Sequence, residues 1–393
     1  MSRSPNPTLV VIHGDELGMR YGDDHPMDGR RHRLAVALCA QIGVFDREDV
    51  DLLGAPEPMS DEGLQRVFAP AFIAAVKRYS ETPVLAAEPE AMQWGIGGDN
   101  TAYEGMFEDS ARVVAACAGA AQIVAEGTAP LAMVPAGGSH HGLANRAWGF
   151  GLFNETAMAV QTLRMGGAER VAYIDLDVHH GNGTQWIYYD DPSVLTVSVH
   201  ESGKHLFPGS GFPDETGGPG AEGCSINVAL PPFAGNDAYR SAFDEVVAPV
   251  VEAFAPDAIV AQCGVDHHHA DPLSHLQTTM PFYPELWSKL TELSSRCGGR
   301  MVALGGGGYN PCNAPPRAWA LLIAEMCGHE MPEKPPTEWL EKVAACNCPE
   351  PPETILGDED PGAPPPTVAH QVSRAIRESR AAASRFWPLE ERS

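Results

Sequence analysis

The sequence predicts an α/β fold in which a mainly parallel sheet is flanked by helices on both faces. Two observations lead to this prediction. Short apolar runs rich in β-branched residues alternate along the chain with longer segments of helical periodicity. Clusters of polar and glycine residues follow the apolar runs rather than precede them, and ligands of parallel sheets bind beyond the carboxyl ends of the strands. We therefore expect one functional site at that edge of the sheet.

The predicted elements are six strands and six helices, followed by a tail. The strands cover residues 8–13, 131–135, 170–175, 194–200, 258–262 and 301–304. The helices cover residues 31–42, 109–126, 153–165, 237–254, 284–297 and 316–327. Beyond about residue 330, proline-rich and acidic stretches flank a short helix around Trp339 and precede a basic helix over residues 368–386. Such segments usually act as linkers or docked surface elements, so residues 331–393 are predicted to form a proline-rich tail with short helices.

Charge and cysteine content narrow the classes of function. The chain has 26 basic and 52 acidic residues, a formal net charge of -26, which disfavours general binding to nucleic acid or an anionic membrane. Its nine cysteines are scattered and form no Cys-x-x-Cys pair, a pattern that indicates reduced thiols. The sequence shows neither a signal-peptide pattern nor an apolar stretch near the ~20 residues that span a bilayer. We expect a cytoplasmic protein that binds neither nucleic acid nor a membrane.

A metal site is predicted where two of the strands end. Asp177 and His179 stand two residues apart after the strand over 170–175, and this spacing directs both side chains to the same side. Asp266 follows the strand over 258–262 and adds a second carboxylate. Zinc accepts such a set, which leaves one position open for water, although Fe(II) or Mn(II) fits oxygen and nitrogen ligands equally well. A lone Asp-x-His is more often a capping aspartate and a surface histidine.

Candidate groups for proton transfer follow another strand. His140 and His141 come after two glycines, whose flexibility allows adjacent side chains to enter one pocket. A neutral imidazole there can take a proton from metal-bound water and return it to a leaving amine. Asp175 and Asn182 are the candidate partners that fix the tautomer of each ring. A His-His pair alone is weak evidence, because surface pairs are common.

Three further features have both a functional and an ordinary interpretation. Tyr309 ends the glycine run 305–308, where its phenol could donate to a carbonyl oxygen, or the run is a flexible turn with a packing tyrosine. Phe150 and Phe207 could wall a channel for an aliphatic chain, or they are core residues. The triplet His267-His268-His269 suggests a second metal site, or these rings line the mouth of the site. The glycine run lacks the Lys-Ser/Thr ending of a phosphate loop.

Taken in this order, these motifs resemble those of the zinc-dependent histone deacetylase and acetoin-utilisation protein family, which has the arginase–deacetylase fold. The resemblance rests on residues 21–27, 104–107, 140–141, 175–183, 207–209, 264–266 and 305–310. It covers about the first 330 residues. It implies a single α/β domain with a parallel sheet of about eight strands and a narrow tunnel that ends at zinc. Residues 1–330 would form the zinc-dependent deacetylase catalytic domain.

The resemblance also implies a role for each site residue. Asp177, His179 and Asp266 resemble the zinc ligands, with His141 as the general base and acid and His140 as its electrostatic partner. Tyr309 resembles the residue that polarises the acyl carbonyl. The implied substrate-binding residues are Gly149, Phe150 and Phe207 in the tunnel wall, Asp99 at the rim, and Arg31 behind the site, where it handles released acetate. A structural potassium ion is expected against Asp175, Asp177, His179, Ser198 and Val199, and a second near Tyr188, Asp191 and Val194.

Two positions depart from patterns within the family. Asn182 stands where many eukaryotic class I members have aspartate, so the partner of His141 is neutral. Leu273 occupies the position where polyamine-selective relatives carry a carboxylate, which disfavours a long cationic polyamine as substrate.

The predicted function is the metal-dependent removal of acetyl or short acyl groups from the lysine side-chain amine of a protein, by zinc-activated water. By family analogy, an acetylated acyl-CoA synthetase is one candidate substrate. Two alternatives stay open, namely deacetylation of a small molecule such as an acetylpolyamine, and an inactive relative that binds acyl-lysine or a partner protein. The oligomeric state also stays open.

Overall fold

The computed structural model describes residues 7–22, 25–346, 348 and 353–389. Within them, eight parallel strands form one sheet in the order β2-β1-β3-β8-β7-β4-β5-β6. The strands are β1 (Leu9–Ile12), β2 (Val50–Leu53), β3 (Leu131–Val134), β4 (Val171–Asp175), β5 (Val194–Glu201), β6 (Ser225–Leu230), β7 (Ala258–Gln262) and β8 (Met301–Leu304). Asp23 and Asp24 of the 21–27 motif, and residues 347 and 349–352 of the proline-rich stretch, lie outside the described residues.

The same described ranges contain twelve α-helices. They are α1 (Arg30–Gln41), α2 (Asp61–Leu64), α3 (Pro70–Glu81), α4 (Met106–Ala125), α5 (Glu155–Met165), α6 (Asn182–Ile187), α7 (Asn236–Ala242), α8 (Ala248–Phe254), α9 (Tyr283–Arg296), α10 (Ala314–Cys327), α11 (Thr337–Ala345) and α12 (Val368–Ala383). A π-helical turn over Phe243–Val247 joins α7 to α8, and short 3-10 turns cover Val44–Asp46, Pro83–Ala87, Ala91–Trp94 and Met280–Phe282.

The sheet separates two hydrophobic cores, because successive side chains of a strand point to opposite faces. On β1, Leu9 and Val11 belong to one core, whereas Val10 and Ile12 belong to the other. Residues of α1 and of α7 to α10 cover the first face, and residues of α4 and α5 cover the second. Strands that are buried on both faces read as continuous apolar runs, which is the pattern that predicted them.

The six predicted strands are confirmed to within one residue at each end. The two unpredicted strands, β2 and β6, form the two edges of the sheet. In β2, Asp51 interrupts a four-residue segment in which only Val50 is buried. In β6, Ser225 and Asn227 interrupt the apolar pattern. Three of the four β2 residues are not fully buried, and the buried Ser225 and Asn227 side chains of β6 are hydrogen-bonded, so neither strand needs a continuous apolar run.

The predicted helices are also present, and the region over 237–254 is divided by the π-helical turn. Helices α2, α3 and α6 were not predicted. None of the helices in the described part of the chain has the length and hydrophobicity needed to span a bilayer.

The tail packs against the rest of the chain. From α11, the Trp339 indole Nε1 donates to the Leu34 carbonyl oxygen of α1 at 2.8 Å. After α12, Trp387 Nε1 donates to the Gly223 carbonyl oxygen at 2.7 Å.

The expectation that all nine cysteines are reduced is wrong for one pair, because Cys312 and Cys348 form a disulfide with their Cα atoms 5.9 Å apart. Their sequence separation of 36 conceals this pairing, because closely spaced cysteines are the pattern that a sequence reveals.

Candidate active site

The sheet order brings the predicted polar clusters to one edge. Strand β4 lies next to β7, and β7 lies next to β8. Asp177 and His179 follow β4, Asp266 follows β7, and the glycine run follows β8. Because all three strands are parallel, their carboxyl ends meet at the same edge of the sheet.

Asp177, His179 and Asp266 form a buried group with the geometry of a metal site. Their nearest ligand atoms all lie within 4.8 Å of one another. His179 Nδ1 lies 2.9 Å from Asp266 Oδ2 and 3.2 Å from Asp177 Oδ1. Burial and the adjacent charge of Asp177 raise the pKa of Asp266. Two carboxylates in a dry interior require a cation close by, and this group suits a divalent metal ion.

The protein holds one oxygen of each carboxylate and turns the other toward His179. Asp177 Oδ2 accepts hydrogen bonds from Gln262 Nε2 and the Gly307 N–H, both at 2.7 Å. Asp266 Oδ1 accepts from the Val178 N–H at 2.9 Å. Such support orients ligands before a metal binds. A side chain at Gly307 would collide with both carboxylates, so the glycine run gives the backbone its close approach.

His140 and His141 form a hydrogen-bonded chain beside this group. His140 Nδ1 donates to Asp175 Oδ2 at 2.8 Å, and His141 Nδ1 donates to Asn182 Oδ1 at 2.6 Å. The two Nε2 atoms lie 3.1 Å apart. Because an amide oxygen only accepts, the His141 proton resides on Nδ1, and His141 Nε2 carries a lone pair.

The two imidazoles have opposite electrostatic environments. Although burial opposes it, the charges of Asp175 and Asp177 raise the pKa of His140 to about 8. Burial and the neighbouring His140 hold the pKa of His141 well below its usual value. His140 is therefore the cation of the pair, and its Nε2–H can donate to the neutral His141. A neutral partner such as Asn182 leaves His141 uncharged and able to accept a proton, because an adjacent carboxylate would instead raise its pKa and favour the imidazolium.

Glu155, at the start of α5, supports the loop that carries the histidines. Its Oε2 accepts from the Gly138 N–H at 3.1 Å and the Ser139 N–H at 2.5 Å. Burial raises the pKa of Glu155 to about 7. Sequence analysis missed this residue, although a glutamate directly after the helix-capping Asn154 is a detectable signal.

The titration of Glu155 predicts a pH-dependent stability. Because its folded pKa is above the unfolded value of 4.5, the group stabilises the fold below pH 4.5, and this contribution is lost as pH rises to about 7. Glu155→Gln keeps the acceptor oxygen but does not titrate. We therefore expect it to lack this pH-dependent change in unfolding free energy, which amounts to at most about 3 kcal/mol. The measurement is the difference in unfolding free energy between the two proteins from pH 4 to 8. A constant difference across this range would contradict the prediction.

Tyr309 is held by its backbone beside the metal group. Its N–H donates to Asp271 Oδ2 at 2.6 Å, and its ring centroid lies 6.3 Å from that of His179. Burial raises the pKa of Tyr309 well above its usual value, so the phenol keeps its proton. Arg31 is buried nearby, where Nη1 donates to the carbonyl oxygens of Gly306 and Gly308 at 2.9 and 3.0 Å.

The predicted substrate-binding aromatics lie beside two different site residues, Phe207 beside His141 and Phe150 beside Tyr309. The Phe207 ring, which is 39% exposed, has its centroid 5.0 Å from that of His141. The Phe150 ring lies 5.8 Å from Tyr309. Gly149 lies against the His141 ring, and a side chain there would overlap it. One narrow cavity is lined by residues 137–141, 149–150, 306–307 and Tyr309, together with Met27, Ala136, Asp177 and Gln262.

Asp99 and Leu273 lie farther out. Asp99 is exposed, and its carbonyl oxygen lies 3.1 Å from Nε2 of His25, whose ring is 4.8 Å from that of Phe150. Leu273 is half-buried, and its N–H donates to Asp271 Oδ1 at 2.9 Å. Asp271 therefore ties Leu273 to Tyr309.

The residues predicted for potassium lie on adjacent strands. Asp175 of β4 is paired in register with Ser198 of β5, and Val199 follows Ser198. The Ser198 hydroxyl lies 2.8 Å from His200 Nδ1. Of the second set, Tyr188 is buried and its hydroxyl donates to the Ala157 carbonyl oxygen at 2.7 Å.

The expectation that the histidine triplet lines the mouth is wrong for two of its members. His267 is fully buried, with Nδ1 2.7 Å from the Thr278 hydroxyl and its ring between those of Tyr239 and Tyr283. His268 is 1% exposed. The chain turns directly after Asp266, where the His268 N–H donates to the Val265 carbonyl oxygen at 3.1 Å.

Sequence reasoning also missed Gln262 and Asp271. Gln262 is the one polar residue of β7 and stands at its carboxyl end, which is a usable signal. Asp271 lies in an irregular loop, where sequence pattern is uninformative.

Comparisons with known proteins agree with this geometry. Residues 25–326 match the histone deacetylase domain family. The acetoin utilization protein AcuC of Bacillus subtilis (strain 168) is 37% identical over 324 residues, which cover 82% of each chain. AcuC of Staphylococcus xylosus is 33% identical and covers 89% of this chain and 91% of its own. A crystal structure of the HDA15 HD domain superimposes with a TM-score of 0.74 at 26% identity, covering 97% of both chains.

Proposed function

Because the chain belongs to the histone deacetylase family and is a deacetylase by that membership, we propose that it removes acetyl or short acyl groups from lysine side chains of proteins. One observation carries the proposal: the buried Asp177, His179 and Asp266 group lies beside an oriented imidazole pair and a protonated phenol. Each component of amide hydrolysis is then within reach of one cavity.

Asp177, His179 and Asp266 would hold the metal, which we propose is zinc. When bound, zinc supplies a Lewis acid for the amide carbonyl and lowers the pKa of water. We further propose a structural potassium ion against Asp175, Asp177, His179, Ser198 and Val199, because Asp175 and Ser198 are register partners on adjacent strands.

The side chains around the cavity divide the proton transfers between them. His141 Nε2, which carries no proton in the neutral ring, takes the proton of the attacking water and later gives it to the leaving amine. His140, charged and held by Asp175, stabilises negative charge in the cavity. The Tyr309 hydroxyl donates to the carbonyl oxygen as charge develops on it. Phe150 and Phe207 would enclose the aliphatic chain of the substrate.

A cationic protein segment suits the surroundings of this site. The net charge of -26 attracts positively charged partners, and the exposed Asp99 would accept hydrogen bonds from a substrate backbone. The apolar Leu273 at the rim offers no charge to a polyamine. Acetylated proteins, with an acyl-CoA synthetase as one candidate, are therefore the preferred substrates.

An acyl-substrate panel combined with metal analysis tests the proposal. We expect one tightly bound zinc per chain, hydrolysis of acetyl-lysine peptides in preference to acetylpolyamines at equal concentration, loss of activity with a chelator, and its return with added zinc. The chelated protein is the matched control. Preference for acetylpolyamines would assign a small-molecule substrate, and a fully loaded but inactive protein would contradict deacetylation.

A separate prediction concerns Asn182, the neutral partner of His141. Replacing Asn182 by aspartate puts a carboxylate where the amide oxygen lies 2.6 Å from His141 Nδ1, and an adjacent opposite charge raises an imidazole pKa by about 1–3 units. Because the base must be neutral, we expect the acidic limb of the kcat/KM profile to move to higher pH by about one unit or more. An unchanged limb in Asn182→Asp would show that His141 is not the titrating base.

A further inference from the structure

The loop after β7 contacts a segment far away in the chain. It begins with the metal-site residue Asp266, passes through the buried histidines and Leu273, and reaches Met280. Asp358 packs against this loop and is 9% exposed at its side chain. Asp358 lies outside residues 25–326, which match the family domain.

The Asp358 carboxylate accepts four hydrogen bonds. Its Oδ2 accepts from His268 Nε2 at 2.9 Å and from the Met280 N–H at 2.7 Å. Its Oδ1 accepts from His269 Nε2 at 2.8 Å and from the Glu359 N–H at 3.0 Å. Four donors match the four acceptor positions of a carboxylate. Although burial opposes it, these hydrogen bonds hold the pKa of Asp358 well below its usual value, so the group is an anion.

His268, His269 and Asp358 are also close enough to hold a cation, but hydrogen bonding disfavours one. The Ala270 N–H donates to His268 Nδ1 at 3.2 Å, so the His268 proton resides on Nε2 and points at Asp358. A metal on Nε2 would need the lone pair there and would place the Nδ1 proton against the Ala270 N–H. The group is therefore a hydrogen-bonded clamp.

Arg317 of α10 fixes the segment directly before Asp358. Its fully buried guanidinium donates through Nη1 to the Ile355 and Gly357 carbonyl oxygens at 3.0 and 2.7 Å. The Ile355 N–H donates to the Glu333 carbonyl oxygen at 2.9 Å. The position of Asp358 is thus set independently of the loop it contacts.

Hydrogen bonds connect the clamp to the active site. The His268 carbonyl oxygen accepts from the Asp271 N–H at 2.9 Å. The Asp271 carboxylate in turn holds the N–H groups of Tyr309 and Leu273. His268 lies two residues after Asp266. Holding His268 in place therefore constrains a metal-site carboxylate, the phenol and the rim together.

We propose that Asp358 is a positioning residue of the active site, which holds the loop over 266–280 through His268 and His269. Its catalytic consequence rests on the proposed function, whereas its effect on the loop does not. The tail would then be an integral part of the deacetylase.

The test compares Asp358→Ala with Asp360→Ala in the full chain. Asp360 is the same residue type two positions away, is exposed, and accepts only a local hydrogen bond from Gly362 N among the described contacts. For Asp358→Ala we expect about tenfold faster amide exchange over residues 264–280 and about tenfold faster metal release to a chelator. Its kcat/KM should fall about tenfold and partly recover with excess metal. Asp360→Ala should match the unsubstituted protein.

Three outcomes separate the possibilities. Exchange and metal release equal to those of Asp360→Ala would overturn the proposal. A loosened loop in a protein without deacetylase activity would uphold the clamp and contradict the proposed function. Two zinc ions per chain, falling to one in Asp358→Ala, would overturn the hydrogen-bonded clamp in favour of a second zinc site. If Asp358→Ala does not fold, Asp358→Asn provides the same comparison, because the amide NH2 group would then face two N–H donors where one carboxylate oxygen accepts from them.

Discussion

We expect His141→Ala to lower kcat/KM by about 10²- to 10⁴-fold, the usual contribution of a positioned general acid–base. The reason is geometric. Asn182 holds the His141 proton on Nδ1, so the unprotonated Nε2 lies 3.1 Å from His140 Nε2 in a ring that lines the cavity. Alanine leaves nothing at this position to accept the proton of water or to protonate the leaving amine.

Measuring the metal content of His141→Ala distinguishes loss of the general acid–base from loss of the metal ion. His141 is not in the Asp177, His179 and Asp266 group, so His141→Ala should retain its metal ion. His370→Ala is a suitable control, because this histidine is exposed on α12. Activity within tenfold of the unsubstituted enzyme, at full metal occupancy, would remove His141 from the mechanism.

Tyr309→Phe should lower kcat by about 10²- to 10³-fold with a small change in KM, as expected for the loss of a donor to a developing oxyanion. The substitution removes only the hydroxyl. The backbone contact of residue 309 with Asp271 and the ring packing against Phe150 involve other atoms, so the site should keep its shape.

Steady-state kinetics with an acetyl-lysine peptide measures the effect. Tyr189→Phe serves as the control, because its ring packs against Trp186 at the end of α6. A loss confined to KM would assign Tyr309 to substrate binding alone. A kcat within a few-fold of the control would exclude its role as the oxyanion donor.

Both predictions concern residues that the sequence already singled out. Local pattern was sufficient for them, because His141 and Tyr309 each follow a glycine run that comes after a buried strand. Polar residues after parallel strands must also share one edge of the sheet. The interior strands could be predicted from the sequence for a related reason, since burial on both faces requires a continuous apolar run.

By itself, then, the sequence determined the fold class, the interior strands and the residue types of the site. Tertiary structure alone decided the two edge strands, the Cys312–Cys348 pairing, and the support of the site by Glu155, Gln262, Asp271 and Asp358. Edge strands, loops and tail follow no strict hydrophobic period. The contacts of Asp358 with His268 and of Gln262 with Asp177 join residues 90 and 85 positions apart. Such contacts depend on how whole elements pack, because no local periodicity relates the partners.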